Sequence, residues 1–184
     1  AARTAITVSS NHRKGDTERG GDPCGRVPDG AMRISDFFHP LDIVPDLSSL
    51  TKEGVLRELT GKLLERHRDL DGEDILRLLM ERELLGSTGI GGGIALPHAK
   101  TPRVGKPILV FGRSTTGIAY DALDGKPVSL FFLLISDANS IDVYLTLLAR
   151  LSRLLKDRAL RSRLLEADDS VAMYACIEQQ DGLL

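Results

Sequence analysis

From Val128 to Ile135 the chain is apolar at almost every position. A strand with one wet face alternates apolar and polar side chains, so a strand lacking that alternation must be covered on both sides. The strongly hydrophobic part, Leu130 to Ile135, is strand-sized and far short of the roughly 18 residues a membrane helix needs. This run therefore calls for a layer of other elements on each face of the sheet that contains it.

The flanking sequence can supply those layers. Val55, Leu56, Leu59, Leu63 and Leu64 recur at helical spacing after a polar Ser-Ser-Leu-Thr entry. A second helix is expected from Asp71 or Gly72, with Glu73 and Asp74 in its positive first turn and Gly86 as its left-handed stop. Pro107 to Ser114 reads as a strand, and Asp124-Gly125 as a turn before the apolar run. Ile141, Tyr144, Leu145, Leu148, Leu151 and Leu155 form a helical stripe. A shorter helix to Leu165 and another from about Asp168 to Gln179 follow. This order implies an α/β fold, an α+β sandwich with one compact mixed β-sheet flanked by helices, and no repeat or second globular domain.

Residues 1–31 are rich in Gly, Arg, Asp and Ser and poor in large apolar side chains, so they are expected to form a disordered extension ahead of a globular domain over 32–184. With 184 residues there is room for one good-sized core. The balance of 24 basic and 26 acidic residues gives no nucleic-acid signature. Cys24, in the polar tail, and Cys176, in a helical pattern, make no metal spacing and fit a reducing cytoplasm; no metal or cofactor is expected. The N-terminal segment has neither a secretion-type apolar core nor the acid-poor composition of an organellar presequence. Arg150, Arg153, Lys156, Arg158, Arg161 and Arg163 form the densest basic cluster, which reads first as a solvated helix face.

The chemistry concentrates between Gly86 and His98, Gly-Ser-Thr-Gly-Ile-Gly-Gly-Gly-Ile-Ala-Leu-Pro-His. Glycines allow successive N–H groups to converge on an anion, so a loop including Gly89 and Gly91 suits a phosphoryl group or a carboxylate. It is not a P-loop, because Gly92 stands where that motif needs lysine. A dinucleotide fingerprint would need a strand before the glycines, where a helical segment stands instead. His98, behind Pro97, supplies an imidazole largely neutral near pH 7 that can accept phosphorus and release it again. Arg82 projects from the apolar side of the second helix at the end nearest the loop. Its fork matches phosphate oxygens, but Glu83 also interrupts the arc, so both charges could instead reach water or pair with each other.

The segment from Arg82 to His98 resembles the active-site signature of the fructose/mannitol-class enzyme IIA domains of the bacterial phosphoenolpyruvate-dependent phosphotransferase system, including its nitrogen-regulatory branch. A looser likeness runs from about Ile34 to Gln179. The resemblance implies that His98 takes a phosphoryl group from an HPr-type phosphocarrier, that Arg82 lies beside it, and that Ser87 and Thr88 open the phosphate-binding loop. It also implies a cytoplasmic protein whose partner is a IIB domain or a regulatory target, or a binding module that transfers nothing. These residues contain no membrane segment, which leans toward the regulatory branch. One departure stands out: the second histidine usual after the long central strand is missing, and Val143 falls about there. His39 and His67 have no positional claim to replace it.

Overall fold

The computed structural model describes residues 32–184; the tail, with His12 and Cys24, lies outside the described residues. Among those residues are five α-helices: α1 (Lys52–Arg66), α2 (Gly72–Leu84), α3 (Ile141–Leu154), α4 (Arg158–Glu166) and α5 (Ser170–Asp181). Their starts follow side-chain chemistry. Thr51 accepts from the Gly54 N–H to cap α1, and Asp71 accepts from the Glu73 and Asp74 N–H groups to cap α2. Each oxygen satisfies donors that have no partner inside the first turn.

Six strands form one mixed sheet: β1 (Ile43–Val44), β2 (Gly89–Gly91), β3 (Ile94–Ala95), β4 (His98–Lys100), β5 (Ile108–Ile118) and β6 (Val128–Ser136). The order is β1-β5-β6-β3-β2, with β4 also pairing β6. β5 runs antiparallel to β6, whereas β3 and β4 run parallel to it, one after the other along its far edge. The apolar run is thus the one strand flanked on both edges over most of its length.

Its side chains divide by parity, as a pleated strand requires. Phe131, Leu133 and Ile135 enter a core with α1 and α2, while Leu130, Phe132 and Leu134 enter a second core with α3, α4 and α5. All six are at most 1% exposed. The fold is the helix-flanked mixed sheet that the sequence implies.

Several residues of the basic cluster work inside the protein. Arg150 donates to the buried Asp181 carboxylate, Arg161 to the Leu155 carbonyl at the end of α3, and Arg163 to Gln179. These contacts fasten the C-terminal helices to one another and to the last turn of α3.

Candidate functional site

The glycine run forms a β-hairpin. β2 and β3 pair antiparallel, and Gly91, Gly92 and Gly93 turn between them with φ of 90°, 64° and 79°, a region side chains with a Cβ resist. Gly89 is glycine for a different reason: a Cβ there would lie 2.8 Å from the Ala122 backbone. β3 ends at Ala95, and Leu96-Pro97 carries the chain on to His98 at the start of β4.

His98 is half-buried, and its tautomer follows from its two partners. Arg82 Nε–H donates to Nε2 at 3.0 Å, and Nδ1 lies 2.7 Å from the Leu96 carbonyl oxygen. A guanidinium can only donate and a carbonyl can only accept. Nδ1 therefore carries the proton, and the lone pair sits on Nε2 beside Arg82. Burial pushes the imidazole pKa below its ordinary value; the Leu96 hydrogen bond opposes this, and the Arg82 charge adds to the lowering. Tyr144, from α3, meets the ring edge-on with centroids 5.7 Å apart.

Of the two adjacent charges that end α2, each goes its own way. Arg82 turns to His98 and also donates to the Gly86 carbonyl at 3.0 Å. Glu83 turns inward and is 8% exposed. Its carboxylate accepts from the Thr88 N–H, at 3.0 Å, from the Thr88 hydroxyl, at 2.7 Å, and from Lys52 Nζ, at 3.2 Å, with the buried Tyr120 hydroxyl at 3.4 Å. Neither charge frays the helix, and they do not pair with each other. Glu83 ties the loop after α2 to the helix end that carries Arg82, a role no sequence pattern indicates.

The other loop candidates have protein partners here. The Thr88 N–H and hydroxyl are taken by Glu83, the Gly89 N–H donates to Ser87 Oγ at 3.1 Å, and Ser87 Oγ donates to the Tyr120 carbonyl at 2.8 Å. Gly91 lies in the hairpin turn, where the neighbouring Gly92 N–H donates to Asp124. Of the anion-binding candidates only Arg82 hydrogen-bonds to His98. Val143 is partly buried in the second core, His39 caps a short 3₁₀ turn through Nδ1, and His67 ends α1. Among the described residues no group of His, Cys, Asp and Glu has the arrangement of a metal site, and no helix is long and apolar enough to cross a membrane.

Glu83→Gln should lower stability by about 1–3 kcal/mol, because the amide loses the Lys52 ion pair and turns its NH₂ toward groups that donate. Denaturant titration measures this. A midpoint equal to wild type would mean that the Thr88 loop is held by something else.

Known proteins resemble this chain in sequence and in fold. The family model described as "Phosphoenolpyruvate-dependent sugar phosphotransferase system, EIIA 2" matches residues 36–180. A nitrogen regulatory protein of Bradyrhizobium diazoefficiens is 35% identical over 149 residues, which is 79% of this chain and 95% of that protein. The fructose-specific EIIABC component of Bacillus subtilis is 37% identical over 150 residues, 82% of this chain but only 24% of that much longer protein. The crystal structure of the nitrogen regulatory protein IIA-Ntr from Neisseria meningitidis superposes with a TM-score of 0.74 at 31% identity, covering 78% of this chain and 98% of that one.

Proposed function

Since this chain belongs to the EIIA 2 family of the phosphoenolpyruvate-dependent sugar phosphotransferase system, and so to a family of phosphotransferase-type activity, we propose that it is a cytoplasmic phosphocarrier in which His98 Nε2 takes a phosphoryl group from an HPr-type donor. The observation that carries this reading is the fixed tautomer: a neutral imidazole whose lone pair is on Nε2, with a guanidinium at 3.0 Å.

The step balances without an added base. The donor's phosphorylated imidazolium approaches Nε2, whose lone pair forms the new N–P bond as the donor's N–P bond breaks and its electron pair returns to the donor nitrogen. The donor leaves as neutral imidazole and His98 becomes the phosphoimidazolium, keeping its Nδ1 proton. The Leu96 carbonyl then faces a ring that has gained positive charge, so this hydrogen bond strengthens as the reaction proceeds. Arg82 Nε–H must leave Nε2 and donate to the phosphoryl oxygens instead. Ser87, Thr88, Gly89 and Gly91 are proposed to contribute to phosphate binding mainly by shaping the loop, since several of their donors already have protein partners.

Leu84 and Leu85, which are 83% and 85% exposed just beyond Glu83 at the end of α2 that carries Arg82, support docking of a protein partner beside the site. From His98 the phosphoryl group passes to a IIB domain or is held as a nitrogen or carbon signal. The nitrogen regulatory proteins among the relatives favour the signal.

Incubation with phosphoenolpyruvate, enzyme I and HPr should add one phosphoryl group, labile in acid and stable in base, read by intact mass. The rate of acceptance should stay flat as pH falls through the ordinary histidine range and decline only below it, because protonation of Nε2 removes the nucleophile and the folded-state pKa is lowered. The same shift makes the unfolded chain bind the proton first, so stability falls with pH from the unfolded pKa down through the folded one. An unmodified wild-type protein would overturn the reading.

A further inference from the structure

Lys100 lies two residues beyond His98 in β4, and alternation along the strand puts both on one face, about 6.6 Å apart along the chain. Its ammonium stands over the Tyr144 ring, 4.3 Å from the centroid. That same ring meets the His98 imidazole edge-on. Among the described residues Lys100 pairs with no carboxylate, unlike Lys52 and Lys62, which rest on Glu83 and Glu65. A half-buried lysine whose ammonium stands over an aromatic face, next to a nucleophile, is a charge with no counter-ion among the described residues.

We propose that Lys100 is a second cationic ligand of the phosphoryl group on His98, parked on Tyr144 while the histidine is unmodified. The inference rests on the acceptor reading of His98 and adds to it a residue opposite in character to Arg82. Arg82 is anchored by Gly86 and the helix end, and presents a planar fork from α2. Lys100 is a point charge on a flexible four-carbon stem from β4. Once a dianion forms on Nε2, its attraction for an ammonium held on the neighbouring Tyr144 ring exceeds that of a cation–π contact, and the stem swings from ring to oxygen. Tyr144 acts as a positioning residue: it keeps the ammonium near the site without giving it a carboxylate that would compete with the phosphoryl oxygens.

Single-turnover transfer from phospho-HPr tests this in the full chain, with wild type, Lys100→Gln, Lys100→Arg and Tyr144→Leu compared at fixed salt. Lys100→Gln should slow acceptance about tenfold, the size of one charge-assisted hydrogen bond made in the transition state, and Lys100→Arg should restore most of the rate. Tyr144→Leu should fall between wild type and Lys100→Gln. Two readouts separate this from a loss of packing: the His98 pKa by NMR should rise in Lys100→Gln, since a positive neighbour is removed, and the ³¹P resonance of the phosphorylated protein should shift. Normal modification of wild type with equal rates in Lys100→Gln, or arginine no better than glutamine, would overturn the role of Lys100 alone. A wild type that accepts nothing would overturn the acceptor reading beneath it.

Discussion

A His98→Ala variant should take up no phosphoryl group under conditions that fully modify the wild type, a loss limited only by the detection floor of the mass measurement. Alanine removes the imidazole lone pair that accepts from Arg82, and among the described residues no other imidazole hydrogen-bonds to Arg82. The chain has four histidines. His39 uses Nδ1 to cap a short turn and His67 closes α1, and neither hydrogen-bonds to Arg82. The fold should survive the change. His98 contributes two hydrogen bonds from a half-buried position, so the loss amounts to about 1–3 kcal/mol, less than a domain of this size has in reserve. Equal phosphoryl uptake by a folded His98→Ala protein would assign the acceptor to another residue, and a His98→Gln variant, which keeps more of the side-chain volume, guards against a mere folding defect.

Much of this fold was legible because its largest elements obey simple periodicities. The two-sided burial of β6 follows from Val128–Ile135 lacking polar alternation, and α1 and α2 begin where Thr51 and Asp71 can cap them. β2, β3 and β4 left no such trace: at two or three residues, a strand is too short to show a period. Their glycines look the same whether they cradle an anion or turn a hairpin, and only backbone angles tell these apart. Gly89 illustrates a further limit, since it is dictated by Ala122, a neighbour distant in sequence.

The site was legible to a similar depth. His98 behind Pro97, and Arg82 at the near end of α2, stand out from residue type and position, and the structure brings them into contact. Glu83 did not, because a carboxylate in an apolar helical arc looks like a surface charge until Thr88, Tyr120 and Lys52 are seen to converge on it. Tyr144 shows how one residue can satisfy two readings. It belongs to the leucine stripe of α3 and is buried as that stripe requires, while its ring meets the His98 ring in a T-shaped contact.

Arg82→Ala should slow phosphoryl acceptance about ten- to a hundredfold, the equivalent of about 1.5–3 kcal/mol for a charge-assisted hydrogen bond made chiefly in the transition state. In the unmodified protein Arg82 Nε–H occupies the Nε2 lone pair, so the side chain must give up one hydrogen bond to make another. That exchange is favourable only because the incoming group carries full negative charge and a guanidinium can span two oxygens at once. Lysine keeps the charge and loses the fork, so Arg82→Lys should fall between wild type and alanine. If Arg82 served only to close α2 through the Gly86 carbonyl, both variants would melt earlier yet accept phosphate at the wild-type rate. The His98 pKa separates the cases once more: loss of the guanidinium charge should raise it in Arg82→Ala and much less in Arg82→Lys, so paired NMR titrations and single-turnover rates at fixed salt decide whether this residue acts on the transferred group or only on the helix end.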